Sequence, residues 1–391
     1  MFDYVQYAKD LRHELHQYPE IGFDLPKTLA VVRRELDAMG ISYTEKFGKS
    51  SIVATINEGK PFTIGLRGDM DALPVQEKNH NPYPSKIDGQ MHACGHDVHT
   101  ANLLAVTRKL NDMRDQIRCR MKILFTPAEE YITPGCKLMA EDGVMDDIDC
   151  AIACHVNPNM YIGQVGIRTG GINANSMGIV VEFFGKSAHA NSQQKGVDAI
   201  RMAVEAYMGM ELMVAREVNS KEPCVLNVGS FNGGHTNNVV CDYAKLFIST
   251  RTWDDDLTAF LERRIREISQ GVAQMCGGRA EVTVTKLLPY VINHPVMAEK
   301  MRRTAGKLVG AENVVIPERT MGGEDFAFLC RRKPGVMVRL GVSNDSNPDT
   351  LCPLHNGGFD VDEKCFEISI PLFVNFVLEN QDGIQFEEVN Q

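Results

Sequence analysis

The sequence predicts an α/β protein with two domains: a larger one on a mostly parallel sheet, and an inserted ferredoxin-like β-α-β-β-α-β domain. Three observations predict it. Short apolar runs alternate with helix-period stretches over the first 175 residues. A self-contained β-α-β-β-α-β order fills 176–289. The alternating pattern then resumes from about 290. At 391 residues the chain is long enough for two cores. The expected division is therefore 1–175 with 290–391 as the larger domain, and 176–289 as the insert.

Each element has a local reason. Val5, Tyr7, Leu11 and Leu15 fall on one helical face over 3–18. A second helix over 26–39 stops at Gly40. Apolar runs at 51–56 and 62–66 read as strands. Asp97 is expected to cap a helix through HTANLLAVTRKL. A strand at 121–125, a helix near 134–142 and a strand at 150–154 follow. The insert reads as a strand at 177–184, a helix at 196–215, strands at 224–231 and 244–252, a helix at 256–275 and a strand at 281–287. A helix near 296–309, a strand at 335–340 and a helix from about 362 to 379 complete the larger domain. No internal repeat or low-complexity tract interrupts the pattern.

Composition excludes several classes. Hydrophobic residues at 43% provide enough apolar material to exclude disorder as the main state. A net charge of −10 disfavours nucleic acid and anionic membrane surfaces as partners. No run approaches the ~20 apolar residues of a membrane helix. The amphipathic start MFDYVQYAKDLRHELHQ lacks the apolar block of a secretory signal. Eleven scattered cysteines read as reduced thiols and point to the cytoplasm.

Four segments can carry chemistry. In MHACGHDVHT, an extended backbone would turn His92, Cys94 and His96 to one side, and thiolate with imidazole suits zinc. The alternative is a glycine turn whose histidines only fill hydrogen bonds. In FTPAEE, a strand ends before adjacent acids. One of Glu129 and Glu130 can bind a metal while the other serves as general base; a solvated pair at a helix start is the plainer reading. His155 in ACHV and His355 in LCPLHNGG are, singly, more often a core and a loop histidine. Together the segments say more, because ligands of open α/β sheets bind beyond the carboxyl ends of strands. Asp69, Asp71, Glu129, Glu130 and His155 follow three apolar runs, and Cys94 and His96 join them. Seven such groups exceed what one ion needs, which predicts two divalent ions.

These residues carry a resemblance. The chain resembles the amidohydrolase branch of the dinuclear metallopeptidase family, which includes hippurate hydrolase, auxin–amino acid conjugate hydrolases and N-acetyldiaminopimelate deacetylase. Aminoacylase and glutamate carboxypeptidase are more distant relatives. The matching motifs run in family order over nearly the whole chain: RHELHQYPEIGFDLPKT, LRGDMDALPVQE, MHACGHDVHTANLL, FTPAEE, HV, GKSAHA, MGGEDFAFL and LHN.

The resemblance implies Cys94, His96, Glu130, His155 and His355 as metal ligands, with Cys94 bridging, and Glu129 as general base. Asp71 falls where relatives have an acid that orients the site. Asp69 stands where other branches place a histidine ligand, and is a secondary ligand candidate. The insert is implied to mediate a homodimer and to cover the site. His189 resembles a histidine that reaches a substrate oxygen, in its own or the partner's site. Asn238 and Arg251 resemble residues that hold a substrate carboxylate, although a strand-surface salt bridge is an equal reading for Arg251. Ser187 and Ala188 depart from the two glycines usual before that histidine. Asn157 departs from an aromatic residue, so a bulky aromatic acyl group is not assumed. His13 and His16 match a motif but receive no chemistry. The expected activity is metal-dependent hydrolysis of N-acyl amino acids or related small amide conjugates, with zinc or manganese. The alternatives are a dipeptidase or carboxypeptidase of the same family, and a non-catalytic metal-binding protein.

Overall fold

The structure, a computed structural model, describes residues 2–386. Residues 1 and 387–391, which fall at the ends of the expected larger domain, lie outside the described residues. The chain forms two compact units.

The larger unit comprises residues up to 172, 292–318 and those from 325. Its eight-stranded sheet runs Tyr43–Thr44, Ile52–Ile56, Arg120–Thr126, Thr63–Asp69, Cys150–Tyr161, Gly335–Ser343, Val165–Gly166, Val314–Val315. The four strands from Arg120–Thr126 to Gly335–Ser343 are mutually parallel. Ile52–Ile56 adds antiparallel to them. Parallel strands are covered on both faces, so they carry continuous apolar runs. Thr63–Asp69 is accordingly buried at every position. The helix His96–Asp112 is buried along most of its length, and Tyr4–His16 and Phe366–Asn380 pack against it.

Local signals explain most helix ends. Asp3 accepts the backbone N–H groups of Val5 and Gln6 at the start of Tyr4–His16. Pro26 opens Pro26–Met39, and Gly40 closes it in the left-handed region. The expectation for Asp97 is corrected. The helix begins at His96 with Gly95 as its N-terminal cap, at φ +80°, and no side chain caps it. Asp97 lies inside the first turn, where Arg12 and His16 take its carboxylate at 3.1 and 2.8 Å. Gly95 is required on two counts. Its φ disfavours other residues, and a Cβ there would meet Val156 Cγ2 at 2.5 Å.

The smaller unit comprises residues 173–291 and 319–324. Its four-stranded antiparallel sheet runs Arg279–Leu288, Asn175–Phe184, Tyr243–Thr252, Cys224–Gly233. Helices Ala199–Glu217 and Asp255–Cys276 join the strands in the order β-α-β-β-α-β. Met177, Ile179, Val181 and Phe183 alternate inward and pack with Met202, Ala206, Met210, Leu261 and Ile265. Residues 319–324, left with the larger domain on sequence, group here. Asn173 bridges to Thr320, and Ala174 donates its N–H to the Gly322 carbonyl at 3.2 Å.

Candidate metal centre and its supports

The chemistry-bearing segments of the larger unit converge where its parallel strands end. Ligand atoms of Cys94, His96 and His155 all lie within 4.8 Å of one another. The same holds for Cys94, Glu130 and His355, and for His96, Glu129 and Glu130. Cys94 belongs to two of these overlapping sets. Its Sγ is 3.5 Å from His155 Nε2, and His355 Nε2 is 2.9 Å from Glu130 Oε1. His92 stands apart from them. The backbone turns at 93–94 rather than running extended, and the His92 ring lies 6.3 Å from that of His16.

Hydrogen bonds fix which ring nitrogen faces inward. His96 Nδ1 donates to the Asp71 carbonyl at 2.8 Å, and His155 Nδ1 to the Val156 carbonyl at 2.7 Å. A carbonyl only accepts, so both Nδ1 atoms carry hydrogen and each Nε2 is the nitrogen turned toward the cluster. His96 Nε2 is buried with no hydrogen-bond partner. Burial, reinforced by His99 and Arg339, holds His155 well below the usual imidazole value, so its ring is neutral. Burial also pushes the Cys94 thiol well above its ordinary range, and Glu130 adds to this. A thiol in such a place ionises only against a compensating cation. An orphaned imidazole nitrogen, a second aimed lone pair, a buried thiol and carboxylates fit divalent ions of the zinc type.

The adjacent acids owe their divergence to the backbone. Ala128 sits at φ +56°, a conformation that costs a non-glycine residue about 1–3 kcal/mol. Asp71 holds it in place: its Oδ1 accepts the Glu129 N–H at 3.0 Å and its Oδ2 the Glu130 N–H at 3.1 Å. Asp71 therefore supports both acids with its carboxylate and His96 with its carbonyl. His355 is left-handed as well, at φ +63°, and its N–H donates to the Ala93 carbonyl at 2.8 Å.

Asp69 is otherwise engaged. Its Oδ2 accepts from Arg67 Nη1 at 2.7 Å and its Oδ1 from His99 Nδ1 at 2.6 Å. Burial alone would raise its carboxyl, yet Arg67, His96 and His99 hold it well below the usual carboxylate range. His99 Nε2 in turn accepts the Val156 N–H at 3.0 Å, next to His155. Sequence reasoning did not single out Arg67, His99 or Asp325. His99 carries a signal, since His96 and His99 are three residues apart on one helix face. Arg67 and Asp325 lie within the motifs LRGDMDALPVQE and MGGEDFAFL, but nothing in the sequence pairs them across 258 positions.

The remaining candidates belong to the smaller unit. His189 is exposed, and its Nδ1 accepts the Asn191 N–H at 3.2 Å. It bridges to Val239 beside Asn238, whose Oδ1 accepts from Thr236 Oγ1 at 2.9 Å. Arg251 is half-buried. Its Nη1 donates to Ser249 Oγ at 2.9 Å and to the Thr250 carbonyl at 3.0 Å. Along Tyr243–Thr252, Tyr243 pairs with Phe184 and Arg251 with Ser176. Eight residues of strand span on the order of 25 Å. The His189–Asn238 pair and Arg251 thus occupy opposite ends of one sheet.

Comparison with known proteins agrees with this arrangement. Residues 65–379 match peptidase family M20/M25/M40. The chain is 33% identical to N-acetyl-L-cysteine deacetylase of Bacillus subtilis over 354 residues, 90% of this chain and 83% of that protein. It is 30% identical to hippurate hydrolase of Campylobacter jejuni over 373 residues, 94% of this chain and 95% of that one. Among solved structures it resembles the YXEP protein of Bacillus subtilis, described as a dinuclear metal-binding peptidase. The TM-score is 0.80 at 25% identity, covering 97% of this chain and 99% of that one. With its candidate metal-binding segments brought to one place, and with a match spanning both units, the chain belongs to peptidase family M20/M25/M40.

Proposed function

We propose that this protein is a metal-dependent amidohydrolase that cleaves the amide bond of N-acyl amino acids or related conjugates. One observation carries the reading: Cys94, His96, Glu130, His155 and His355 meet in overlapping clusters with Glu129 beside them. Those five residues would hold two divalent ions, with Cys94 shared. Thiolate and imidazole favour zinc, while the carboxylate also accepts manganese. When bound, the ions polarise the amide carbonyl and bring the pKa of a water toward neutrality.

The chain's own residues do the rest. Glu129 accepts a proton from the attacking water and later passes it to the departing amine. The C–N bond breaks, giving a carboxylic acid and an amino acid. Asp71 keeps Glu129 and Glu130 turned to their separate tasks. His189 donates to the developing oxyanion, and Asn238 and Arg251 hold the substrate carboxylate.

Residues some 25 Å apart on one sheet cannot meet one small substrate, which supports a homodimer in which one end of the sheet serves the partner's site. The smaller unit has a face for it. Ile200, Val204, Met208 and Leu212 recur every four residues on Ala199–Glu217 and are 36–60% exposed. The edge strand Cys224–Gly233 offers unpaired backbone groups beside that helix. No disulfide joins the described cysteines, in keeping with the cytoplasm. Among the described residues, no helix is long and apolar enough to cross a membrane.

The test is a substrate panel on protein reconstituted with zinc or manganese, with elemental analysis alongside. Two ions per chain and faster hydrolysis of N-acetyl or N-benzoyl amino acids than of dipeptides are expected. A preference for dipeptides would make it a peptidase, and bound metal without amide hydrolysis would make it a binding protein.

A further inference from the structure

Glu129 is held by more than Asp71. Its Oε1 accepts the backbone N–H of Asp325 at 3.3 Å, in the buried interior of the larger unit. Nothing in the chemistry proposed above uses Asp325. Its own carboxylate is held by other groups: Oδ1 accepts from Arg67 Nη2 at 2.5 Å, and Oδ2 accepts the Cys136 N–H at 2.9 Å, while a carboxylate oxygen stays within 4.8 Å of those of Glu129 and Glu324. Both Arg67 and Asp325 are essentially inaccessible to solvent. Arg67 spreads its planar fork over three partners, with Nη1 on Asp69, Nη2 on Asp325, and Nε on Thr126 Oγ1 at 3.0 Å. Thr126 ends the strand that leads, through Pro127 and Ala128, into Glu129.

We infer that Asp325, gripped by Arg67, is a positioning residue for Glu129. Its carboxylate anchors its own backbone, and that backbone N–H fixes one oxygen of Glu129. Held so, the Glu129 carboxylate is aligned to receive and return the proton. The same guanidinium anchors the root of the Glu129 turn at Thr126, so one buried cation sets the carboxylate from both sides. A charge-assisted grip between buried groups is stiff, because its alternatives leave an ion unpaired. General-base efficiency depends on such alignment: a displacement of about 1 Å can cost on the order of 10²-fold in rate. Asp325 is fully buried and acts through Glu129.

The inference rests on Glu129 being the general base, and a double-mutant cycle on the metal-loaded enzyme separates the two ideas. Asp325→Asn keeps the size of the side chain but removes the charge that Arg67 grips. With bound metal confirmed by elemental analysis, kcat on an N-acetyl amino acid should fall about 10–10²-fold, with KM changed by less than about threefold. In a Glu129→Gln background the same substitution should cost almost nothing further, because the group it serves has gone. Equal losses in both backgrounds, loss of metal in step with activity, or unchanged kcat would each overturn the inference. If Asp325→Asn does not fold, Arg67→Lys replaces it in the same cycle. Lysine keeps the charge but cannot serve three partners at once, so a smaller loss that again vanishes with Glu129→Gln is expected; a loss that persists there overturns the inference. Near-normal turnover by Glu129→Gln alone would instead remove the general-base reading.

Discussion

The two units hold their candidate side chains in opposite ways. In the larger one, His96 and His155 are each tied by Nδ1 to a backbone carbonyl, and Asp71 accepts two consecutive backbone N–H groups. Two non-glycine residues at positive φ, Ala128 and His355, are kept in place by such bonds. In the smaller one, His189 and Asn238 are exposed, and their recorded side-chain hydrogen bonds go to groups two positions away. A cation site needs donors fixed before the ion arrives, because misaligned ligands lose affinity. Groups that meet a substrate or a partner chain can stay solvated until it binds, ordering only then. The contrast therefore predicts that damage in the larger unit abolishes chemistry, while damage in the smaller one weakens it by degrees.

The largest effect should come from Glu129→Gln. Metal content should stay normal while kcat falls on the order of 10²–10⁴-fold. Elemental analysis with steady-state kinetics checks both, and lost metal would mean that Glu129 is a ligand. Cys94→Ala should do the reverse and lower occupancy at both ions, measured by equilibrium dialysis. Full occupancy in that variant would break the shared-ligand assignment.

The smaller unit should answer more mildly, and differently at its two ends. His189→Ala should lower kcat by about 10²–10³-fold with little change in KM, as expected for an oxyanion donor. Arg251→Ala should mainly raise KM. A charge-assisted bond contributes about 1.5–3 kcal/mol, equivalent to roughly 10–150-fold. If both variants moved the same constant, the division of labour along the sheet would be wrong. Mixing Glu129→Gln with His189→Ala protein sharpens the point: activity above that of either variant alone on subunit exchange would mean that His189 serves the partner.

How much was legible follows from how local each signal is. The β-α-β-β-α-β insert was readable because alternation and helix period are properties of neighbouring residues, as at Met177, Ile179, Val181 and Phe183. The segments that converge at the candidate centre were readable because thiol, imidazole and paired acids at strand ends are the groups that chemistry draws on. Asp97 misled because an acid near a helix start usually caps it, whereas here Gly95 makes the turn and Arg12 claims the carboxylate. The pairing of Arg67 with Asp325 was invisible, since the motifs that contain them say nothing of each other until folding joins them across 258 positions. Chemistry announced itself by residue type, while the residues that support it are defined only by contact.

The last prediction has the least to do with turnover and concerns stability. His16 lies buried in the larger unit, with Nδ1 on Asp97 at 2.8 Å and Nε2 on Glu77 at 2.9 Å. Burial alone would depress its pKa, but those two carboxylates lift it from 6.5 to about 9. A value raised in the folded state stabilises the protein fully below pH 6.5, where folded and unfolded chains are both protonated. That stabilisation fades as pH climbs through 9 and the folded imidazole releases its proton. At about 1.4 kcal/mol per unit, the contribution is on the order of 3 kcal/mol. Urea unfolding at pH 6 and pH 10 should therefore show the wild type losing its advantage over His16→Gln as pH rises, with metal content held constant. An advantage independent of pH would mean that His16 packs as a neutral ring. The motif RHELH would then owe its place to shape rather than to charge.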